Sequence, residues 1–77
     1  MKMYAVLSTI GKHKDIPVVF KRGTFNSKFS VELGCTVFEQ LKDAERAMKS
    51  HKKRIETKLT PVTTTIKEVD VNVQSLW

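Results

Sequence analysis

Cysteine is almost missing from this chain of 77 residues. Cys35 stands alone, so no intramolecular disulfide can form, and a reducing compartment is the simpler setting. One cysteine with two distant histidines, His13 and His51, also falls short of a zinc set, and no metal ligation is expected. Glycine is scarce too: Gly11, Gly23 and Gly34 lie too far apart to cradle a phosphate, so no nucleotide cofactor is implied. No apolar run approaches the ~20 residues of a membrane span. Met3–Ile10 is too short for a signal peptide and lacks a small-residue cleavage site. The expected location is the cytoplasm.

Acidic residues are the other shortage. Eight Asp+Glu face fourteen Lys+Arg, a net charge of +6. On so short a chain that excess favours polyanions or acidic protein surfaces as partners and says nothing of fold. The apolar fraction of 40% and charged fraction of 29% are those of a folded chain. At this length residues 1–77 make one domain, near the lower limit for a self-sufficient core. Little apolar material is left over for a deep cavity, so no small-molecule substrate is expected.

Periodicity supplies the elements. Met3–Ile10 is apolar on both alternating faces, as in a well-covered strand. Residues 11–15 read as a turn, and Ile16–Lys21 as a second strand with Pro17 at its start or on an edge. In Lys28–Leu33, Phe29, Val31 and Leu33 alternate with Lys28, Ser30 and Glu32, predicting a third strand that Gly34 ends. Thr36 and Glu39 have capping-box spacing, which predicts a helix from Thr36 to about Thr57 that Pro61 keeps from continuing. Its apolar stripe comprises Val37, Leu41, Ala44, Met48 and Ile55, with His51 at the border. A last strand begins near Val62. Val62, Thr64 and Ile66 share one phase, Val69, Val71 and Val73 the other, and a bulge at Lys67–Glu68 would reconcile them. The predicted fold is α+β, an antiparallel sheet of three to four strands with one long helix on one face, in the order β-β-β-α-β.

Catalytic constellations are not found. His13 lies in the predicted turn and His51 on the helix, with no serine motif beside either. Glu39, Asp43 and Glu45 alternate with Lys42, Arg46 and Lys49, the pattern of a surface ion-pair lattice rather than a carboxylate dyad. Cys35, just before the predicted helix, reads as a small half-buried residue in preference to an activated thiol. No enzyme is expected.

What rises above background is the outer face of the helix. Lys42, Arg46, Lys49 and Lys53 are spaced four, three and four apart and align opposite the apolar stripe. Lys52 and Arg54 flank them, and Lys58 follows. A helix of about 20 residues would carry this row for ~30 Å. Further contacts are expected from Arg22, from Phe25 as an exposed ring in a loop, and from Lys28. Two readings stay open. In one, the basic face docks on an acidic protein surface, with the sheet face or strand addition at Thr63–Thr65 as other routes. In the other it holds nucleic acid through the phosphate backbone, although few aromatics are placed for stacking. A monomer or weak homodimer fits either.

The stretch Thr36–Ala47 (TVFEQLKDAERA), entering a helix after a strand and followed by a Val/Thr-rich strand, resembles small phage-encoded accessory proteins over residues 36–73. The resemblance implies a protein that binds one host macromolecule, such as a nucleic-acid-processing enzyme, in the host cytoplasm and alters its activity as an inhibitor or adaptor. It implies no catalytic residue.

Overall fold

A computed structural model of the chain describes residues 1–21, 23–55 and 62–76. Over these residues it is an α+β fold, an antiparallel sheet with one α-helix on one face. The strands are β1 (Lys2–Ile10), β2 (His13–Pro17), β3 (Lys28–Ser30), β4 (Cys35–Phe38) and β5 (Val62–Asp70), with the helix α1 (Leu41–Ile55) between the last two. β1 is central. β5 pairs along its whole length on one side, from Lys2 opposite Asp70 to Ile10 opposite Val62. On the other side β4 pairs with Tyr4 and Ala5, and β2 takes over from Leu7 to Ile10. β3 extends the sheet beyond β4.

Burial of β1 on both faces explains its double apolar pattern. Val6 faces α1 in a core with Val18, Phe38, Ala44 and Ala47, flanked by Tyr4, Phe20, Met48 and Ile66. Met3 and Ala5 face the opposite way and form a second core with Cys35, Val37 and Val71. The chain leaving β5 closes this second core. It crosses the helix-free face to β3, where Ser30 bridges to Leu76 and the Val31 amide donates to the Ser75 carbonyl at 2.8 Å.

The change of phase in the last strand comes from these two cores and not from a bulge. Register between β1 and β5 is unbroken over nine pairs, through Lys67 and Glu68. Ile66 packs against the core under the helix and Val62, buried, shares its phase, while Val69 and Val71 serve the core on the far face. The one irregularity in β1's pairing is with β2, between Ser8 and Ile10, beside the left-handed Asp15 (φ 49°). β2 itself starts earlier than the sequence suggested, because Gly11 at φ 57° allows a tight turn ahead of His13. Pro17 ends β2 on an edge of the sheet.

The helix begins later than its capping signature implied. Thr36 lies in β4, where its hydroxyl accepts the Phe20 amide at 2.8 Å and binds the Phe20 carbonyl at 3.4 Å, so no capping box with Glu39 forms. All four residues of β4 are buried, two on each face, and Val37 and Phe38 pair with β1. β-Branched and aromatic side chains gain more from two-sided burial there than from a helical turn, which overrides the local capping preference. Val37 therefore belongs to the far core, and Leu41, 45% exposed, opens the helix outside the packed stripe. The Gln40 carbonyl accepts the Asp43 and Ala44 amides at 3.2 Å and starts α1. The third strand stops at Ser30, because Ser30 caps a turn to the left-handed Gly34, leaving Val31 and Leu33 exposed. The expected helix end near Thr57 and the stop at Pro61 lie outside the described residues.

Candidate binding surface on the helix

α1 rests on the sheet through Ala44 and Ala47, both fully buried, with Met48, His51 and Ile55 half-buried on the same side. Small residues at 44 and 47 let the helix approach β1 and β5 closely. At 100° per residue, Lys42, Arg46, Lys49 and Lys53 fall on the diametrically opposite side, and all four are exposed. Lys52 and Arg54 lie on the two flanks and are exposed as well. From Lys42 to Lys53 the row runs about 17 Å, little more than half the ~30 Å of a longer helix. Arg22 and Lys58 lie outside the described residues.

Neutralising acids are fewer on this face than the sequence suggested. Asp43 is only 7% exposed and sits in the first turn, where the helix dipole favours a carboxylate. Glu39 lies ahead of the helix and pairs with Lys28 at 2.9 Å, which takes Lys28 out of the unpaired set. Glu45 is exposed but forms no ion pair with Lys49. Among the described residues, no ion pair engages Lys42, Arg46, Lys49, Lys53 or Arg54. What remains is a rigid line of cations with solvent as counter-charge.

Beside the helix lies a strained turn. Gly23 at φ 84° leads into a 3-10 turn, Thr24–Asn26, that contacts α1. Phe25 (φ 49°) and Asn26 (φ 60°) are both left-handed, a conformation costing about 1 kcal/mol or more apiece for non-glycine residues. The Thr24 hydroxyl donates to the Lys21 carbonyl at 2.6 Å and the Ser27 amide to the Thr24 carbonyl at 3.0 Å, which hold the turn in place. Phe25 is 38% exposed there, the one aromatic side chain among the exposed large hydrophobics of the described residues.

One juxtaposition was invisible in the sequence. His51 Nε2 and the Ser8 hydroxyl, 43 residues apart, share a hydrogen bond at 3.0 Å, with the Phe20 ring edge-on to the imidazole at 5.8 Å. A histidine touching a serine is the start of a nucleophile–base pair. Here Ser8 is 2% exposed beneath the helix, so no substrate carbonyl can reach its oxygen. Burial, and then the charge of Arg54, lowers the imidazole pKa below its ordinary 6.5. The pair works as packing.

Cys35 is likewise largely shielded. It is 3% exposed within β4, well ahead of the helix N-terminus, and burial raises its thiol pKa. Beside it, on the helix-free face, an open groove of about 490 Å³ is lined by Ala5, Leu7, Pro17, Leu33, Cys35 and Val69, with Lys67 and Asp15 among its polar groups. Sequence reasoning had no route to this groove, since its walls come from four strands and a turn. No group of three or more His, Cys, Asp or Glu side chains among the described residues could hold a metal ion. No helix among them is long and apolar enough to cross a membrane.

No family model, curated protein or solved structure matches this chain.

Proposed function

We propose that this chain is a small non-catalytic binding protein that docks through the outer face of α1 on an acidic surface of a host protein. The carrying observation is the exposed row Lys42, Arg46, Lys49 and Lys53, held on one helix with no ion pair to any described acid. Fixed charge on a rigid element steers encounter and sets orientation without the ordering cost of a flexible tail. A nucleic-acid-processing enzyme that carries an acidic patch is a fitting partner, because the cationic row complements that charge. Such an inhibitor or adaptor role suits the likeness to phage accessory proteins and a cytoplasmic setting. The protein needs no cofactor, metal or small-molecule substrate to act this way.

A second reading, direct and sequence-independent binding of nucleic acid, draws support from the burial of Asp43. With that acid turned inward, Glu45 is, among the described residues, the one carboxylate left on the exposed helix surface, and Phe25 stands nearby as a stacking ring. Affinity capture with and without nuclease tests the two together. A host protein retained after nuclease, and lost with Arg46→Glu and Lys49→Glu, supports protein docking. Tight binding of labelled DNA or RNA by the purified chain at low salt, with no protein retained, overturns it in favour of the second reading.

A further inference from the structure

The outer edge of β5 is unpaired in a regular way. The Val6 carbonyl accepts the Val18 amide at 2.9 Å, so even-numbered residues of β1 direct their backbone groups toward β2 and β4. The Met1 carbonyl accepts the Val71 amide at 2.8 Å, so odd-numbered ones point at β5. Through the observed register, Thr63, Thr65, Lys67 and Val69 bond to β1, while Val62, Thr64, Ile66, Glu68 and Asp70 turn their N–H and C=O groups outward. Among the described residues only β1 pairs with β5. Residues 62–70 contain no proline and no bulge, two of the usual devices that block pairing, so charge at Lys67, Glu68 and Asp70 is what any partner strand must accommodate.

We infer that this edge is a self-association surface, pairing antiparallel with β5 of a second copy about a two-fold axis at Ile66. Three features select that partner and register. Ile66 is the midpoint of Val62–Asp70, so centring there matches every outward N–H and C=O with its counterpart. Charges do not collide: Lys67 lies opposite Thr65 of the second copy, Glu68 opposite Thr64 and Asp70 opposite Val62, whereas a two-fold at Lys67 would set two ammonium groups face to face. The helices, which lie over the sheet, run antiparallel across the axis. Glu45, near the start of one helix, then lies toward Lys52 and Lys53 near the end of the other. Both basic rows then face the same way. This inference stands apart from the docking reading, because it concerns the chain alone.

Sedimentation of the isolated chain from micromolar to millimolar concentration is the test. A reversible monomer–dimer equilibrium is expected. Thr65→Glu, which places a carboxylate opposite Lys67 twice by symmetry, should tighten it about tenfold, and Thr65→Lys should weaken it by a similar factor. Thr64→Pro removes an outward amide without touching the β1–β5 ladder, and should give a folded monomer by circular dichroism. Arg46→Glu with Lys49→Glu should leave the dimer intact, separating failure here from failure of the docking face. A chain that stays monomeric throughout overturns the inference, even if it captures a foreign extended peptide. So does a dimer indifferent to the changes at Thr64 and Thr65.

Discussion

His51 and Ser8 join the helix to the central strand by a hydrogen bond of 3.0 Å, under the edge of the Phe20 ring. The surroundings of His51 make stability depend on pH. Burial and Arg54 lower the folded-state pKa of His51 below 6.5, so the unfolded chain takes up the proton first as pH falls. Protons bound preferentially to the unfolded state reduce stability. The loss therefore begins near pH 6.5 and continues down to the folded-state value. Urea midpoints at pH 7.5 and 5.5 should show the wild type weaker at the lower pH, and His51→Gln should remove part of that difference. An unchanged pH response in the variant would show that His51 is not its source.

Phe38 is the largest fully buried side chain among the described residues. It meets Phe20 edge-to-face at 5.7 Å and shares a core with Val6, Ala44 and Ala47. Phe38→Ala should cost about 3–5 kcal/mol, comparable to the whole stability of a domain this small. Thermal unfolding followed by circular dichroism should show the variant largely unfolded at 25 °C. A cooperative transition close to the wild-type temperature would mean that the helix packs elsewhere.

Much of this was readable in the amino-acid order, and the misses have physical causes. The central strand, the α+β class and the outer face of the helix followed from periodicity, because Ala44, Met48 and Ile55 obey the 3.6-residue repeat. The start of the helix did not. Thr36 and Glu39 carry a true capping pattern, but Val37 and Phe38 are claimed by two cores on opposite faces of the sheet. Local capping is worth about 1 kcal/mol, and burying two large side chains is worth several times that. The phase change in β5 was likewise visible, but its cause was not, since nothing local reveals that the tail returns across the far face. At the site, Asp43 reads as a surface acid by spacing, and only the turn packed against the helix shows it to be buried.

Cys35 should be unreactive in the folded chain. It is 3% exposed, and desolvation raises its thiol pKa, which depletes the thiolate that alkylating reagents attack. Iodoacetamide labelling at neutral pH should run at least about tenfold slower in the native protein than in urea. Native labelling as fast as the denatured rate would place the thiol at the surface and reopen the groove beside it to covalent chemistry.

The salt dependence of partner binding should report how many of the row's cations meet charge. If Lys42, Arg46, Lys49 and Lys53 each neutralised a phosphate of duplex DNA, log K would fall with log salt at a slope of roughly −3.6, a loss of about a hundredfold between 50 and 200 mM. Docking on an acidic protein surface releases no condensed counterion layer of that kind, so its slope should be shallower and its loss mainly in association rate. Arg46→Ala and Lys49→Ala are expected to change stability by no more than about 0.5 kcal/mol, because both side chains are exposed and unpaired. Each should weaken partner binding and flatten the slope. Full affinity in both variants would move the docking surface off the helix, and a slope as steep as the phosphate value would move the partner from protein to nucleic acid.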